Sequence, residues 1–209
     1  DPKTWALSGS ISVPYPGVDH GDFSPDGRYF YASCEFSGYV VKIDLVERKL
    51  VGHVRVGVQP IDVKMSPDAT VLYVADQARH GVILLDPGEL HEIGFLPTGK
   101  GAHGLYPSRD TTKLYVSNRL GGSVSVIDFA TRKVEANWPI PGGGSPDMGG
   151  VSADGTQLWL SGRHHGEVYV FDTRTGGLMQ RIRTGAGAHG LAIYPQPGRY
   201  SLGHTGVYR

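Results

Sequence analysis

The chain has 209 residues, in which 20 Lys and Arg balance 20 Asp and Glu to give a formal net charge of zero. Without a basic stripe, this balance argues against nucleic acid as a partner, and without a like-charge run it argues against a disordered tail. No apolar stretch approaches the roughly 18 residues of a membrane-spanning helix. Because no secretion signal is recognisable, we expect a mature, truncated or intracellular chain.

Turn residues and the lone cysteine narrow the class further. The 31 Gly and 14 Pro residues fall at regular intervals between apolar runs, which indicates many turns rather than low complexity. Cys34 is the only cysteine, which excludes an internal disulfide and a zinc site built on cysteine ligands. It ends the apolar run Tyr29–Cys34, so we expect a buried, unreactive thiol.

The predicted elements repeat along the chain with a period of about 42 residues. In the first repeat a strand precedes the turn Ser24–Gly27, a second strand covers Tyr29–Ser33, a third ends at Asp44, and a fourth covers Leu50–Val56. Equivalent turns open with Ser66, Ser108 and Ser152, and equivalent third strands end at Asp86, Asp128 and Asp172. We assign the four aspartates to the turn that follows, since a catalytic role would not need four copies.

The repeat predicts an all-β fold, a β-propeller of four-stranded antiparallel blades. Val, Ile, Tyr and Leu in short alternation suit half-buried strands, and no window has helical periodicity long enough for a packed helix. One four-stranded unit cannot bury both of its faces, so the copies must stack, and radial stacking leaves only short edges. A two-sheet sandwich is the alternative, and the regular period argues against it.

Five repeats account for a single domain over residues 1–209. We place four of them at about 18–57, 58–99, 100–143 and 144–185, and a fifth at 186–209 completed by 1–17. In the fifth, the predicted strands are Leu191–Tyr194, Arg199–Leu202 and Gly206–Arg209, with Trp5–Val13 as the last strand. The sequence leaves open a closed five-bladed ring and a part of a seven-bladed propeller.

Two second strands carry a family resemblance. Leu72–Asp76 reads Leu-Tyr-Val-Ala-Asp and Leu114–Asn118 reads Leu-Tyr-Val-Ser-Asn, each followed by an apolar strand that ends in Asp. They resemble the YVTN β-propeller repeat family. Ser145–Gly150 and Tyr200–Arg209 are similar to secreted propellers of actinobacterial type. The resemblance implies a propeller, often of seven blades, and a secreted, periplasmic or cell-surface location.

Two glycine-rich runs match the Gly-x-Gly-x-x-Gly pattern, Gly99–Gly104 and Gly185–Gly190. A dinucleotide site needs such glycines to open a helix, whereas both runs lead into a predicted strand at the same phase of the repeat. We therefore interpret them as turns between blades, where glycine permits positive φ. No P-loop, nucleophile elbow or His-Glu-x-x-His motif is present.

Histidines collect on one predicted face. Because strands alternate in direction, the turns between blades and the turns between second and third strands share a face, which we call the loop-bearing face. At the turn between blades each repeat places one polar residue: His20, Asp62, His103, Asp147 and His189. Between second and third strands stand His80, His164, His165 and His204. Convergence near the axis is what a multi-histidine metal site requires.

The candidate cofactor is one transition metal, copper, zinc or iron, and Met148 beside Asp147 would favour copper. The alternative is a polar mouth whose histidines only hydrogen-bond nearby backbone. One condition applies: His20 and Asp62 precede their turn serines by four residues, whereas His103 and Asp147 precede theirs by five. Since an offset of one residue reverses the face of a strand side chain, a bulge or loop must absorb it.

Carboxylates offer a second kind of site. Asp19, Asp22, Asp62 and Asp147 could bind a hard cation or act as general bases, although aspartates in such turns more often cap backbone amides. The aromatic residues of the second and third strands are interpreted as packing between blades.

Two functions stay open. The first, which we favour because no catalytic motif is present, is an extracytoplasmic binding or interaction scaffold that presents the loop-bearing face to a protein, glycan or small-molecule ligand. The second is a metal-dependent enzyme, since propellers similar to this one include copper and haem oxidoreductases, lyases and lactonases. There His20, His103 and His189 would anchor the metal, and His164 or His204 would act as acid or base.

Overall fold

A computed structural model describes residues 1–194, 200–202 and 205–207 of the chain. Over these residues the fold is all-β, with four sheets of four antiparallel strands and one two-stranded sheet, which confirms the predicted propeller architecture. No α-helix occurs in these ranges. Accordingly, nothing in the described part of the chain forms a helix long and apolar enough to cross a membrane.

Each predicted repeat from 18 to 185 contains one four-stranded sheet, which we call blades 1 to 4. Blades 1 and 2 consist of β1 (Val18–Phe23), β2 (Tyr29–Cys34), β3 (Tyr39–Asp44), β4 (Lys49–Arg55), β5 (Pro60–Met65), β6 (Leu72–Asp76), β7 (Gly81–Leu85) and β8 (Glu92–Pro97). Blades 3 and 4 consist of β9 (Ala102–Pro107), β10 (Lys113–Asn118), β11 (Ser123–Asp128), β12 (Lys133–Pro139), β13 (Pro146–Val151), β14 (Gln157–Gly162), β15 (Glu167–Asp172) and β16 (Leu178–Arg183).

The first strand of each blade lies innermost. Neighbouring first strands contact one another, β1 with β5, β5 with β9 and β9 with β13, while β5 is buried along its whole length. The last strands face solvent, since β4 alternates between exposed and half-buried residues. Side chains on the first strands and their adjoining loops therefore approach the axis, which is the geometry that the candidate site needs.

The core lies between the blades, and strand alternation divides it. In β6, Leu72 and Val74 pack toward blade 1, whereas Tyr73 and Ala75 pack toward blade 3. A third cluster joins blades 3 and 4 around Tyr169. Fully burying a side chain of this kind stabilises the fold by roughly 1.5–3 kcal/mol. Each blade thus depends on its neighbours for the burial of both faces.

Short turns follow the repeated Ser-x-Asp motif and the repeated third-strand aspartate. Ser24 Oγ donates to Asp26 Oδ1 at 2.5 Å, and the same pair recurs in the other three blades. Asp44 Oδ1 accepts hydrogen bonds from the backbone amides of Val46 and Glu47, both at 2.9 Å. The carboxylates of Asp86, Asp128 and Asp172 accept backbone amides in the same way. The turn role predicted for these aspartates is confirmed.

A serine on the second strand bridges successive blades. Ser33 Oγ donates to the Ile61 carbonyl at 2.5 Å, and Ser117 Oγ donates to the Asp147 carbonyl at 2.9 Å. Ser161 Oγ donates in the same way to the carbonyl of His189. The first two bonds are buried and fix β5 and β13 against the blades before them, and so fix the height of the residues at the loop-bearing face.

The two ends of the chain agree with the prediction only in part, since strands are found near the predicted Arg199–Leu202 and Gly206–Arg209. The predicted strands at Trp5–Val13 and Leu191–Tyr194 are wrong, because the backbone forms no strand there. β17 (Tyr200–Leu202) and β18 (Thr205–Val207) form a two-stranded sheet, and β18 contacts both β1 and β13. Completion of a fifth blade by residues 1–17, and the total number of blades, stay predictions because part of that region lies outside the described residues.

The N-terminal segment packs on blade 1 and forms no strand. Ile11, Val13 and Tyr15 pack against a buried cluster on the outer face of blade 1 that includes Cys34 and Val41. Cys34 is buried, as predicted, and burial raises its pKa to about 11, which keeps the thiol protonated and unreactive. Apolar contact holds this segment together with hydrogen bonds that Arg48 and Ser37 donate to the carbonyls of Ser8 and Pro16, and no strand pairing is involved.

Candidate functional site

A β-bulge interrupts the first strand of every blade. The register against the second strand shifts between Val18 and Gly21, between Pro60 and Asp62, and between Pro146 and Gly149. In blade 3 the shift falls between Ala102 and Leu105. An extra residue in one strand re-aims the side chains beside it. The bulges absorb the one-residue offset that the sequence shows among the candidate residues.

The five candidate residues of the turns between blades come together. His20 Nδ1 lies 3.9 Å from Asp62 Oδ1, and the ring centroids of His20 and His103 are 6.4 Å apart. His103 Nδ1 lies 3.1 Å from Asp147 Oδ1, and His189 Nε2 lies 3.7 Å from Asp147 Oδ2. Asp147 is therefore the carboxylate on which the histidines of two other repeats converge.

Two arginines complete the cluster, and the sequence analysis missed them. Arg119 Nη1 lies 3.3 Å and Arg163 Nη1 lies 3.9 Å from the Asp147 carboxylate. A repeat signal marks this position, because the residue that directly follows the second strand is Glu35, Gln77, Arg119 or Arg163. All four are polar. Gln59 links the first two, donating to Glu35 and accepting from Gln77, and Arg119 donates to Gln77.

A cavity of about 520 Å³, which we call the loop-face pocket, lies beside this cluster at the loop-bearing face. Asp19 and Glu35 line its blade 1 side together with the side chain of Phe36. The other side is lined by His103, Arg119, Met148, Arg163, His164 and His189. The volume falls within the range of small-molecule sites, about 300–1,000 Å³. The pocket therefore has an acidic wall and a basic wall.

Burial controls the protonation of the pocket. It raises the pKa of Asp147 above its ordinary value, although Arg119, His189 and Arg163 each oppose that shift. Burial, reinforced by the Arg119 guanidinium, holds the pKa of His103 well below its ordinary value. Burial also lowers the pKa of His189, against the attraction of Asp147. These shifts favour neutral imidazoles at His103 and His189 at neutral pH, and the fixed positive charge of the site comes from the arginines.

Three buried polar atoms of the cluster have no hydrogen-bond partner among the described residues: Asp147 Oδ2, His103 Nδ1 and Arg119 Nε. His103 Nδ1 is close to Asp147 Oδ1, but the contact does not have hydrogen-bond geometry. Buried polar groups normally find a partner, in the protein, in ordered water or in a ligand. His103 and Arg119 line the pocket, so two of the three residues that carry these atoms border the space that a ligand would enter.

The carboxylates divide into two classes. Asp22 accepts the amides of Phe23 and Met65, and Asp62 accepts the amides of Val63 and Leu105, at 2.8–2.9 Å. For these two the predicted capping of backbone amides is confirmed, and it joins each blade to the next. Asp19, by contrast, lines the pocket and lies 3.3 Å from His20 Nε2. Burial raises the pKa of Asp19.

The remaining histidines serve the loops more than the cluster. His80 Nδ1 lies 2.9 Å from the Gln77 carbonyl and 3.1 Å from the Gly101 amide nitrogen, and His165 Nδ1 lies 2.9 Å from Ser145 Oγ. His164 lines the pocket. His204 lies outside the described residues. Both glycine-rich runs contain a residue at positive φ, Gly101 at 73° and Gly187 at 75°, as a turn between blades requires.

A metal ion at this cluster stays a prediction. Within the described ranges, no three or more His, Cys, Asp or Glu side chains are arranged to hold a metal. Asp147, the carboxylate nearest to His103 and His189, is also approached by the Arg119 guanidinium, which competes with a cation for the same oxygen. The observed arrangement therefore fits charged and polar ligand groups better than a metal.

Comparison with known proteins agrees with the geometry of the fold. Hydrazine synthase from Kuenenia stuttgartiensis is similar in structure, with a TM-score of 0.73 and 25% identity over 85% of this chain and 52% of that chain. The chain thus spans about half the length of that relative. No curated protein matches it. The family model of YNCE-like β-propellers matches residues 28–198. The narrower YVTN-type resemblance stays a prediction, but the chain belongs to the YNCE-like β-propeller family.

Proposed function

We propose that the chain is a binding propeller whose loop-face pocket takes a small ligand with separated negative and positive groups. The observation that carries the proposal is the pair of oppositely charged walls, Asp19 and Glu35 on one side and Arg119 and Arg163 on the other. A propeller is a rigid scaffold for residues brought from distant parts of a chain. Here, residues of three blades and of the segment after blade 4 supply the pocket.

The basic wall suits a carboxylate. Arg163 has 41% of its side chain exposed, and its only ion pair among the described residues is the long contact with Asp147. Arg119 is anchored by Asp147 and by Gln77, so its position is fixed before a ligand arrives. A carboxylate between the two guanidinium groups would accept charge-assisted hydrogen bonds, the stronger kind. His189 at the same wall would donate a further bond in the appropriate tautomer.

The acidic wall suits an ammonium group. Glu35 accepts one hydrogen bond from Gln59 Nε2 at 2.8 Å, which orients the carboxylate and leaves acceptor capacity. Phe36 beside it is 77% exposed and lines the same pocket, so it offers apolar and cation–π contact to a ligand. With Met148 on the opposite wall, the pocket has an apolar surface between its charged ends. A zwitterion of dipeptide size matches this arrangement.

Calorimetric titration with three matched peptides tests the proposal. We expect alanyl-alanine to bind, and N-acetyl-alanyl-alanine and alanyl-alanine amide to bind more weakly by roughly tenfold or more, since each lacks one charge-assisted contact. Arg163→Gln should remove the preference for the free carboxylate, and Glu35→Gln the preference for the free amine.

The control is Arg181→Gln on β16, since Arg181 pairs with Glu167 and does not line the pocket. It should leave all three affinities unchanged. Absence of saturable alanyl-alanine binding, or equal affinity for the three peptides, would contradict the proposal.

The metal content of the purified protein distinguishes the scaffold function from the metal-dependent alternative. Elemental analysis of untagged protein should give no stoichiometric copper, zinc or iron under our proposal. About one such ion per chain, lost in the double variant His103→Ala/His189→Ala with the β-rich fold retained, would instead support the metal-dependent alternative. Export, which the family resemblance implies, stays part of the proposal and is tested by locating the protein in its native cells.

A further inference from the structure

A second pocket lies on the face opposite to the loop-bearing face, between blades 2 and 3. It has a volume of about 350 Å³ and is lined by the turn residues Pro67, Thr111, Phe129 and Arg132 and by Tyr73 of β6. We call it the inter-blade pocket. None of these residues takes part in the loop-face pocket. Aromatic and aliphatic groups of Tyr73, Phe129 and Pro67 form part of its wall, and the charged lining residues are Arg132, Asp68 and Asp128.

The hydroxyl of Tyr73 is the unusual feature of this pocket. Tyr73 is fully buried, and its hydroxyl has no hydrogen-bond partner in the described part of the chain. Burial raises the pKa of Tyr73 to about 12, so the hydroxyl keeps its proton and needs an acceptor. A buried phenol normally finds such a partner. The ring edge of Phe129 packs on Tyr73 with centroids 5.5 Å apart, which offers no acceptor in the ring plane.

The equivalent tyrosine of blade 1 is satisfied. Seven residues after each turn serine, blade 1 has Tyr31 and blade 3 has Tyr115. Tyr31 donates to the carbonyl of Pro87 in the next blade at 3.0 Å. Pro87 and Thr173 occupy the repeat position of Phe129. The junction of blades 2 and 3 therefore lacks a bond that the junction of blades 1 and 2 has, and it does so where a pocket opens.

We propose that the inter-blade pocket binds a small planar aromatic molecule that carries a neutral hydrogen-bond acceptor, which accepts from Tyr73. The ring would pack against Phe129 and Pro67. A neutral ligand is favoured over an anion, because Asp68 and Asp128 also line the pocket and would offset the charge of Arg132. The proposal does not depend on the ligand of the loop-face pocket.

Benzamide is the probe, since it joins a phenyl ring to a carbonyl acceptor. We expect saturable binding by calorimetry, weakened roughly five- to tenfold by Tyr73→Phe, which removes the donor and keeps the ring. Tyr31→Phe removes a matched hydroxyl at another junction and should leave the affinity for benzamide unchanged. Arg163→Gln, in the loop-face pocket, should also leave it unchanged, so that failure here and failure of the proposed function are distinguishable.

Stability in the absence of benzamide gives a second readout. If the Tyr73 hydroxyl has no partner in the free protein, Tyr73→Phe should keep or raise the thermal midpoint, whereas Tyr31→Phe should lower it. Equal affinity of wild type and Tyr73→Phe for benzamide, or no saturable binding by the wild type, would overturn the proposal. So would a crystal structure grown with benzamide in which the Tyr73 hydroxyl is held by ordered water alone.

Discussion

Asp147 experiences opposing effects at the loop-bearing face. Its side chain is fully buried, which disfavours the charged form, yet Arg119 and Arg163 both attract that form. The net direction is a pKa above the ordinary value of 3.8, so burial outweighs the two guanidinium groups. A carboxyl group in this state binds a proton more readily in the folded chain than in the unfolded chain.

This shift gives a prediction for pH dependence. Between pH 3.8 and the raised pKa the folded state holds more protons than the unfolded state, so this group's contribution to stability falls as pH rises. Asp147→Asn keeps the shape of the side chain and removes the titration. We therefore expect the free energy of unfolding of wild type, minus that of the variant, to decrease from pH 4.5 to pH 7. Urea unfolding at the two pH values measures it, and a difference that grows with pH would contradict the prediction.

At the residue scale, the sequence predicted which residues cluster at the loop-bearing face better than it predicted how their charges interact. His20, Asp62, His103, Asp147 and His189 were identified because each stands at one phase of the repeat, and the structure brings all five together. Arg119 and Arg163 stand at a repeat phase of their own, but arginine is not a metal ligand, so metal-ligand spacing does not select them. How charges share a pocket depends on burial and on distances of a few ångströms, which no spacing in the sequence encodes.

At the scale of strands, the serine of the second strand is the device that locks one blade to the next. Ser117 Oγ accepts the Gly104 amide at 2.8 Å and donates to the Asp147 carbonyl at 2.9 Å. Tyr106 also donates to that carbonyl, so it keeps one partner if the serine is removed. Among the described residues, Ser117 is the side-chain acceptor of the Gly104 amide. Blade 2 has Ala75 at this repeat position, so it lacks the serine hydrogen bond to the next blade.

Ser117→Ala should therefore destabilise the protein by about 1–3 kcal/mol, the cost of leaving the buried Gly104 amide unsatisfied. Because the same serine holds the Asp147 backbone, the affinity of the loop-face pocket should fall as well. Ser10→Ala, at an exposed position, is the matched control and should change the free energy of unfolding by no more than ~0.5 kcal/mol. Chemical unfolding at pH 7 measures both, and equal stabilities of the two variants would rule out the locking role.

The strands were predictable wherever the repeat contains an adjacent strand that pairs with them. The 42-residue period placed all four strands of blades 1 to 4, because alternation and turn chemistry agree in each copy. Trp5–Val13 has the same apolar character but no strand, and Tyr194 is exposed. A strand exists only when another strand pairs with it. Pairing at the ends of a repeat array is a property of the assembled molecule, so local propensity does not determine it.

Over the whole molecule, each blade is stable only when both of its faces are covered. Blades 2 and 3 are covered by the neighbouring blades on either side. Blade 1 is covered by blade 2 on one face, while on its other face Ile11, Val13 and Tyr15 lie over the cluster of Ala32, Cys34, Val41 and Ile43. The N-terminal segment therefore covers the face of blade 1 that a neighbouring blade would otherwise cover, although it forms no strand.

The single thiol reports on this cover. Replacing Ile11 and Val13 together by serine should loosen the N-terminal segment and expose Cys34 more often. We expect the rate at which an aromatic disulfide reagent labels Cys34 to increase about tenfold or more, because the loss of two half-buried apolar contacts amounts to at least ~1.4 kcal/mol. Leu7→Ser changes a side chain that is 87% exposed and should leave the labelling rate unchanged. Absorbance of the released thiolate measures the rate in native buffer. If the double variant labels no faster than wild type, Cys34 is protected by the blade itself, and the segment is not part of the cover that holds blade 1.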